Sequence, residues 1–286
     1  MRYEAPKSLQ GAVALLAGAT GEARVLAGGT DLLVQMRADV VDPDLIVDIK
    51  KIPETRAIAE ERGGWRIGAA VTGAELKEHS RLKQAWPGVV EAANLIGSTQ
   101  VQGRATLGGN LCNGSPAADS VPALIAAGAL ATLAGPDGMR DLPVEDVMLG
   151  PRKLALRRGE IVVSFWLPPR PPRSSDAYLR FIPRTEMDIA VVGAGVSLTL
   201  DGGGAISAAR VSLGAVAPRV LLVAEAAQAI VGTRLDVDAQ HRLEAAARAA
   251  CRPIDDKRGT TEFRVDVAAV LTRRAALIAL DRARTS

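Results

Sequence analysis

The stretch that decides the fold is Val25–Leu33, VLAGGTDLL, and its diglycine recurs in Thr106–Asn110, TLGGN. The first stretch predicts a strand that enters a Gly-Gly turn and leaves as a helix. Because glycine has no side chain, Gly28 and Gly29 can adopt positive φ and let backbone amides approach a ligand closely. A helix N-terminus at the same spot favours an anion such as pyrophosphate. A single diglycine is more often only a tight turn.

The second diglycine changes that balance. It lies in Gly97–Ser120, a segment dense in Gly, Asn, Ser and Pro without a sustained apolar period, and such long irregular segments are usually functional. Two glycine pairs, each beside a Thr or Asn donor, would serve the two phosphates of one dinucleotide from opposite sides. Thr30 could add a hydroxyl. Asp31 must turn away from phosphate, as a helix cap, and Asp119 could bind a ribose hydroxyl or simply cap a helix.

Helix and strand signals alternate through the first half of the chain and separate in the second. We expect helices at about Leu9–Leu16, Asp31–Arg37, Pro87–Ile96, Leu221–Ile230, Ala239–Ala250 and Glu262–Arg282, and strands at Arg24–Ala27, Leu45–Ile49, Trp65–Ala70, Ala129–Leu133, Ile161–Leu167, Ala190–Leu200 and Ala205–Val216. Thr72–Glu75 has the pattern of a capping box, and Asp201–Gly204 that of a hairpin turn. Gly193–Gly195 lacks the third glycine of a dinucleotide fingerprint and predicts close strand packing.

Composition excludes several classes of protein. With 35 Lys and Arg against 32 Asp and Glu and only 3% aromatic residues, the 286-residue chain has a mixed surface that does not suit nucleic acid. Its two cysteines are fewer than the four thiolates of an iron–sulfur cluster, and they favour a reducing, cytoplasmic compartment. We find no signal peptide, and the most apolar run, Val121–Ala134, is shorter than the roughly 20 residues of a transmembrane helix.

Several motifs, in this order and spacing, resemble the FAD-binding medium subunit of molybdenum hydroxylases, the family of carbon monoxide dehydrogenase, xanthine dehydrogenase and 4-hydroxybenzoyl-CoA reductase. The motifs are Ala27–Asp31, Thr106–Asn110, Ser115–Asp119, Arg184–Ala190, Cys251–Asp256 and Phe263–Arg264. The resemblance therefore covers nearly the whole chain. Some relatives carry an extra iron–sulfur cluster in this subunit, and the two cysteines here do not suit that variant.

The resemblance implies an α+β fold. Residues 1–172 would form a two-part FAD-binding domain of the vanillyl-alcohol-oxidase/PCMH type, with subdomains at about 1–56 and 57–172. Residues 173–286 would form a smaller C-terminal domain of antiparallel sheet plus helices. The boundary falls at Pro168–Pro172, where the proline-rich sequence interrupts regular structure.

The resemblance also assigns a FAD site. Its residues would be Val25, Leu26, Ala27, Gly28, Gly29, Thr30, Asp31, Ile96, Thr106, Leu107, Gly108, Gly109, Asn110, Cys112, Asp119, Val162 and Arg180. The two glycine segments would line the pyrophosphate, and Asp119 would lie near the ribityl or ribose hydroxyls. Ile96 and Val162 would adjoin the cofactor, with core packing as the alternative.

Four further side chains have competing interpretations. Arg180 would lie near the isoalloxazine, where a cation stabilises the reduced flavin, or would be a plain surface arginine. Cys112 would lie close to the flavin, although inert packing is favoured over redox action. Arg184 and Asp188 would form an ion pair or shape the outer face of the flavin.

By this resemblance the chain relays electrons and performs no substrate chemistry itself, so we predict no catalytic residue and no metal ligand. A large partner subunit would hold the molybdenum cofactor and a small one the [2Fe-2S] clusters, in a dimer of heterotrimers. Noncovalent FAD would pass electrons to NAD, quinone or oxygen, since neither histidine adjoins a glycine segment. The alternatives are a self-sufficient FAD-dependent oxidoreductase and a non-catalytic protein that has lost its cofactor.

Overall fold

The computed structural model describes all 286 residues and has an α+β architecture. The helices are α1 (Leu9–Ala17), α2 (Leu32–Arg37), α3 (Gly73–Glu78), α4 (Ser80–Ala85), α5 (Pro87–Ala93), α6 (Thr99–Gln102), α7 (Leu107–Cys112), α8 (Ser120–Ala126), α9 (Val144–Val147), α10 (Ala224–Gln228), α11 (Val237–Ala250) and α12 (Thr261–Thr285). The strands are β1 (Arg2–Glu4), β2 (Ala23–Leu26), β3 (Leu45–Asp48), β4 (Ile58–Glu61), β5 (Gly64–Gly68), β6 (Leu130–Gly135), β7 (Gly138–Pro143), β8 (Met148–Gly150), β9 (Lys153–Leu154), β10 (Ile161–Leu167), β11 (Ser174–Phe181), β12 (Val192–Leu200), β13 (Ile206–Gly214) and β14 (Leu221–Leu222).

A three-stranded parallel sheet opens the chain, in the order β1-β3-β2. The helix α1 precedes β2 and begins at Leu9 because the Ser8 hydroxyl accepts a hydrogen bond from the Gly11 NH at 3.2 Å. Its buried face consists of Leu9, Ala12 and Leu16. The strand β2 ends at Leu26, so the first diglycine lies at the carboxyl end of a parallel strand, as the sequence predicts.

A five-stranded antiparallel sheet follows, in the order β4-β5-β10-β6-β7. The capping box before α3 is confirmed, because Thr72 and Glu75 exchange hydrogen bonds through both side chains and both backbone NH groups. Thr72 also forms an isolated antiparallel bridge with Thr106. This bridge places the start of α7, and with it the second diglycine, beside the sheet.

The C-terminal part is a four-stranded antiparallel sheet, β11-β12-β13-β14, packed against α12, which in turn packs against α11. The sheet also contacts α5 and α8. Side chains along β11 alternate between two hydrophobic clusters: Ala177 packs with α12, whereas Tyr178 joins the core of the N-terminal part. Arg180 shares the face of Tyr178. A side chain at Gly195 would place its Cβ 2.6 Å from the Pro122 carbonyl oxygen, which confirms the close-packing interpretation of Gly193–Gly195.

Two expectations about secondary structure are wrong. Gly97–Ser120 is not irregular throughout, since it contains α6 and α7, which are too short to show an apolar period. Leu221–Ile230 starts as the edge strand β14 and becomes helical only at Ala224. Every helix is too short or too polar to serve as a membrane-spanning segment.

Candidate dinucleotide site

Both diglycines line one cleft of about 430 Å³. The segments touch directly: a side chain at Gly28 would overlap the carbonyl oxygen of Arg104, just before α7. On the other side, a Cβ at Gly108 would lie 2.6 Å from the Ala69 carbonyl oxygen, at the end of β5. Glycine is therefore required at both positions because backbone occupies the space of a side chain.

The first diglycine forms an open turn between β2 and α2. Gly29 has a φ of 81°, a conformation that favours glycine. The backbone NH groups of Gly28, Gly29, Thr30 and Asp31 have no hydrogen-bond acceptor within the chain, and neither has the Thr30 hydroxyl. Such a run of free donors at the mouth of a cleft suits the oxygens of a phosphate group.

The second diglycine is not a turn, which corrects the expectation of two similar loops. Gly108 and Gly109 lie in the first turn of α7, whose N-cap is Thr106. The Gly108 NH donates to the Ala69 carbonyl at 3.1 Å, and the Gly109 NH donates to the Thr106 hydroxyl at 3.0 Å. The NH groups of Gly108 and Gly109 are thus already engaged, and these two residues contribute a part of the cleft wall that carries no side chains.

Asp31 turns away from the free NH groups, as expected, but not as a helix cap. Its side chain makes no capping hydrogen bond to α2. Instead its carboxylate accepts a hydrogen bond of 3.2 Å from the Asn113 amide, while the Asn113 oxygen accepts one of 3.0 Å from Gln35. Partial removal from water raises the pKa of Asp31.

Most of the predicted site residues meet in the cleft. Those that line it are Val25, Ala27, Gly28, Gly29, Thr30, Asp31, Ile96, Thr106, Gly108, Gly109, Asn110, Cys112 and Val162. Leu26, Leu107, Asp119 and Arg180 lie outside the lining. Ile96 and Val162 are buried at 9% and 4% exposure, so each packs in the interior and also borders the cleft.

Asp119 and Arg180 form a buried ion pair directly behind the cleft wall. The guanidinium donates to the Asp119 carboxylate at 2.9 Å and to the Leu95 carbonyl at 2.6 Å, next to Ile96. With a side chain only 5% exposed, Arg180 is not a surface arginine. Burial raises the pKa of Asp119 to about 6, although Arg180 and Tyr178 oppose that shift. Asp119 makes no capping hydrogen bond to α8.

The remaining side chains that the sequence singled out are Cys112 and the pair of Arg184 and Asp188. Burial raises the pKa of the Cys112 thiol to about 12, so the thiolate that redox or nucleophilic chemistry needs is disfavoured. Arg184 does pair with Asp188 at 3.3 Å, and Arg258 also donates to Asp188, at 2.8 Å.

Sequence reasoning missed Gln35 and Asn113. Gln35 lies four residues after Asp31 and therefore shares its face of α2. That spacing was visible in the sequence, but the pairing of Asn113 with both residues depends on how α2 and α7 meet. Arg152 and Glu160 also line the cleft, from the region between β8 and β10.

The cleft and its free NH donors suit a protein that binds a nucleotide, and comparisons with known proteins define its family. Residues 1–170 match the FAD binding domain in molybdopterin dehydrogenase, and residues 177–279 match the CO dehydrogenase flavoprotein C-terminal domain. The chain therefore belongs to the family of FAD-binding subunits of molybdenum-containing dehydrogenases, which are oxidoreductases. The α+β fold, with a FAD-binding domain followed by a smaller C-terminal domain, is confirmed.

Individual relatives agree with this family. The chain is 35% identical to the carbon monoxide dehydrogenase medium chain of Afipia carboxidovorans, over 99% of this chain and 97% of that one. It is 32% identical to the xanthine dehydrogenase FAD-binding subunit of Escherichia coli O157:H7, over 95% and 93%. Among solved structures, CO dehydrogenase from Oligotropha carboxidovorans matches with a TM-score of 0.94 at 35% identity, covering 99% of this chain and 98% of that chain.

Proposed function

We propose that this chain is the electron-transfer subunit of a heteromeric molybdenum hydroxylase. A large partner subunit holds the molybdenum cofactor and oxidises the substrate, and a small partner subunit holds [2Fe-2S] clusters that deliver electrons to this chain. The FAD bound here passes the electrons to an external acceptor such as NAD, quinone or oxygen. The similarity to medium chains of multi-subunit dehydrogenases over nearly the full length supports this role.

The single observation that carries the site assignment is the run of unpaired NH groups from Gly28 to Asp31, in the same cleft as the wall formed by Gly108 and Gly109. These donors would hold the FAD diphosphate, with Thr30 adding its hydroxyl. Backbone donors fixed by the fold bind an anion without the entropy cost of ordering side chains. The residues present therefore fit FAD, held noncovalently.

The other assigned residues would shape the cleft around the cofactor. Val25, Val162 and Ile96 supply apolar contact, while Arg180 and Asp119 hold the Leu95–Ile96 wall from behind. The Arg180 charge would act on the cofactor through that wall. Bound FAD supplies the ability to take up electrons singly and release them as a pair. The chain binds and orients it.

We also propose a division into domains at Pro168–Pro172, with a two-part domain over residues 1–172 and a second domain over 173–286. Three hydrophobic clusters support it, since one is built mainly from residues before the proline-rich segment, one from residues after it, and one around the first sheet. The two free cysteines support a reducing, cytoplasmic location. We propose a dimer of heterotrimers as the assembly.

Purification from the native host tests the proposed function. We expect a coloured complex of this chain with two further subunits, containing molybdenum, iron and one FAD for each copy of this chain. A flavin-containing chain that purifies alone and turns over a substrate without molybdenum or iron would instead establish a self-sufficient oxidoreductase. A colourless chain that takes up no added FAD would refute the site assignment.

A further inference from the structure

Three side chains in the lining of the cleft form a hydrogen-bonded chain. Gln35 Nε2 donates to Asn113 Oδ1 at 3.0 Å, and Asn113 Nδ2 donates to Asp31 Oδ1 at 3.2 Å. Asp31 and Gln35 belong to the start and middle of α2, whereas Asn113 is the C-cap residue of α7. These hydrogen bonds therefore join the two glycine segments through side chains, in addition to the backbone contact at Gly28.

Chemistry fixes the orientation of the central amide. A carboxylate only accepts hydrogen bonds, so Asn113 must turn its NH₂ group toward Asp31. Its carbonyl oxygen then faces Gln35, whose amide donates. An aspartate at position 113 could keep the bond from Gln35, but it would face Asp31 with a second negative charge.

The direction in which the Asp31 carboxylate points matters because Asp31 directly follows the glycine turn and precedes α2. Asp31 holds the N-cap position of α2, where aspartate ordinarily turns onto the free NH groups of its own helix. In that orientation a negative charge would stand at the first turn of α2, directly after the donors from Gly28 to Asp31. A diphosphate at the same donors would then be repelled.

We propose that Asn113 is a positioning residue for the cofactor: it holds the Asp31 carboxylate toward α7 and so keeps the NH groups of the first glycine segment available to the FAD diphosphate. This inference rests on the proposed assignment of those NH groups to FAD. It assigns no contact between Asn113 and the cofactor itself.

The test compares the FAD affinities of apoprotein variants by flavin fluorescence titration, with thermal unfolding as a check of folding. We expect Asn113→Asp to weaken FAD binding tenfold or more. The exchange variant Asp31→Asn/Asn113→Asp should return to within threefold of the wild type, because one carboxylate again faces one amide. Gln10→Glu, which adds the same charge at an exposed position on α1, should leave the affinity unchanged.

A second measurement separates charge repulsion from loss of structure. Raising the salt concentration from 0.05 to 0.5 M should reduce the defect of Asn113→Asp severalfold, since salt screens partly exposed charges. Wild-type affinity in Asn113→Asp, an exchange variant as weak as the single variant, or a defect that salt leaves unchanged would each overturn the proposal. If the wild-type apoprotein itself bound no FAD, the site assignment would fail instead.

Discussion

The two diglycines have the same sequence but opposite structures. Gly28-Gly29 forms an open turn with free NH groups and a left-handed residue, whereas Gly108-Gly109 lies inside a helical turn and both of its NH groups are engaged. The first therefore supplies hydrogen-bond donors, and the second supplies only space, because it has no side chains. A glycine motif can thus belong to a binding site for two different physical reasons, and its letters do not distinguish them.

Among substitutions in the two diglycines, the one at Gly28 should have the largest effect on FAD affinity. In Gly28→Ala the new methyl group overlaps the Arg104 carbonyl, so the two segments must separate and the cleft must widen. We expect FAD affinity to fall about 100-fold or more, which corresponds to roughly 2.7 kcal/mol. Absorbance of the purified protein in the visible range measures the bound flavin.

Gly202→Ala is the matched control, because nothing lies within 4 Å of a Cβ at that position and its backbone is not left-handed. It should retain full flavin content. Normal flavin content in Gly28→Ala would show that the contact between the segments is dispensable.

Alanine substitutions at Gly29 and at Gly109 should have different effects on the free energy of unfolding. Gly29→Ala forces a side chain into a left-handed residue and should lower the free energy of unfolding by about 1–2 kcal/mol. Gly109→Ala should change it by less than about 1 kcal/mol, because the helix propensity of alanine offsets the contact of 3.0 Å that its Cβ would make with the Thr106 hydroxyl. Urea denaturation of the apoproteins measures both. Equal losses at the two sites would contradict the comparison.

The threonines beside the two diglycines should also differ in how much they stabilise the apoprotein. Thr106→Ala removes the N-cap of α7 and should cost about 1 kcal/mol of apoprotein stability, while Thr106→Ser should keep most of it. Thr30→Ala should change that stability by less than about 0.5 kcal/mol, since its hydroxyl has no partner in the chain. It should nevertheless weaken FAD binding. If Thr30→Ala clearly destabilised the apoprotein, the Thr30 hydroxyl would not be a free donor.

The smallest expected effect is that of pH on FAD affinity. The donors of the first segment are backbone NH groups, which do not titrate, so the affinity should change less than about threefold between pH 8 and pH 6. Behind the second segment, Asp119 should titrate near pH 6, which carbon NMR of labelled aspartate can follow, with Asp119→Asn for assignment.

The sign of the stability effect at Asp119 follows from its raised pKa. The folded protein holds this proton more tightly than the unfolded chain does, so the contribution to stability is fully present below the unfolded pKa of about 4. It is lost as the pH rises through about 6. A titration midpoint below pH 5 would show that Arg180 outweighs burial.

The sequence predicts the meeting of the two glycine segments but not their geometry. Strand β2, the turn and α2 follow from local propensity, and the capping box before α3 lies where Thr72 and Glu75 predict it. Helix α7 was missed because two glycines in six residues oppose helix propensity, and its stability comes from the Thr106 cap and the neighbouring backbone of Ala69.

Burial of Arg180 could not be predicted for a different reason. Alternation along β11 places its side chain on the face of Tyr178, but only the packing of α8 and Leu95 against that face removes it from water. An arginine near a strand end is exposed in most proteins. The partner that buries it lies 61 residues earlier in the chain, at Asp119.

The contact of Gly28 with the Arg104 carbonyl makes cofactor uptake a reporter of folding. An unfolded chain has no fixed arrangement of these two distant stretches, so the nucleotide associates with the native state alone. Mass action then adds stability without any change in the protein: about 2.7 kcal/mol when free FAD stands at 100 times its dissociation constant. Cells that run short of flavin would hold this subunit in a less stable form, more open to proteolysis.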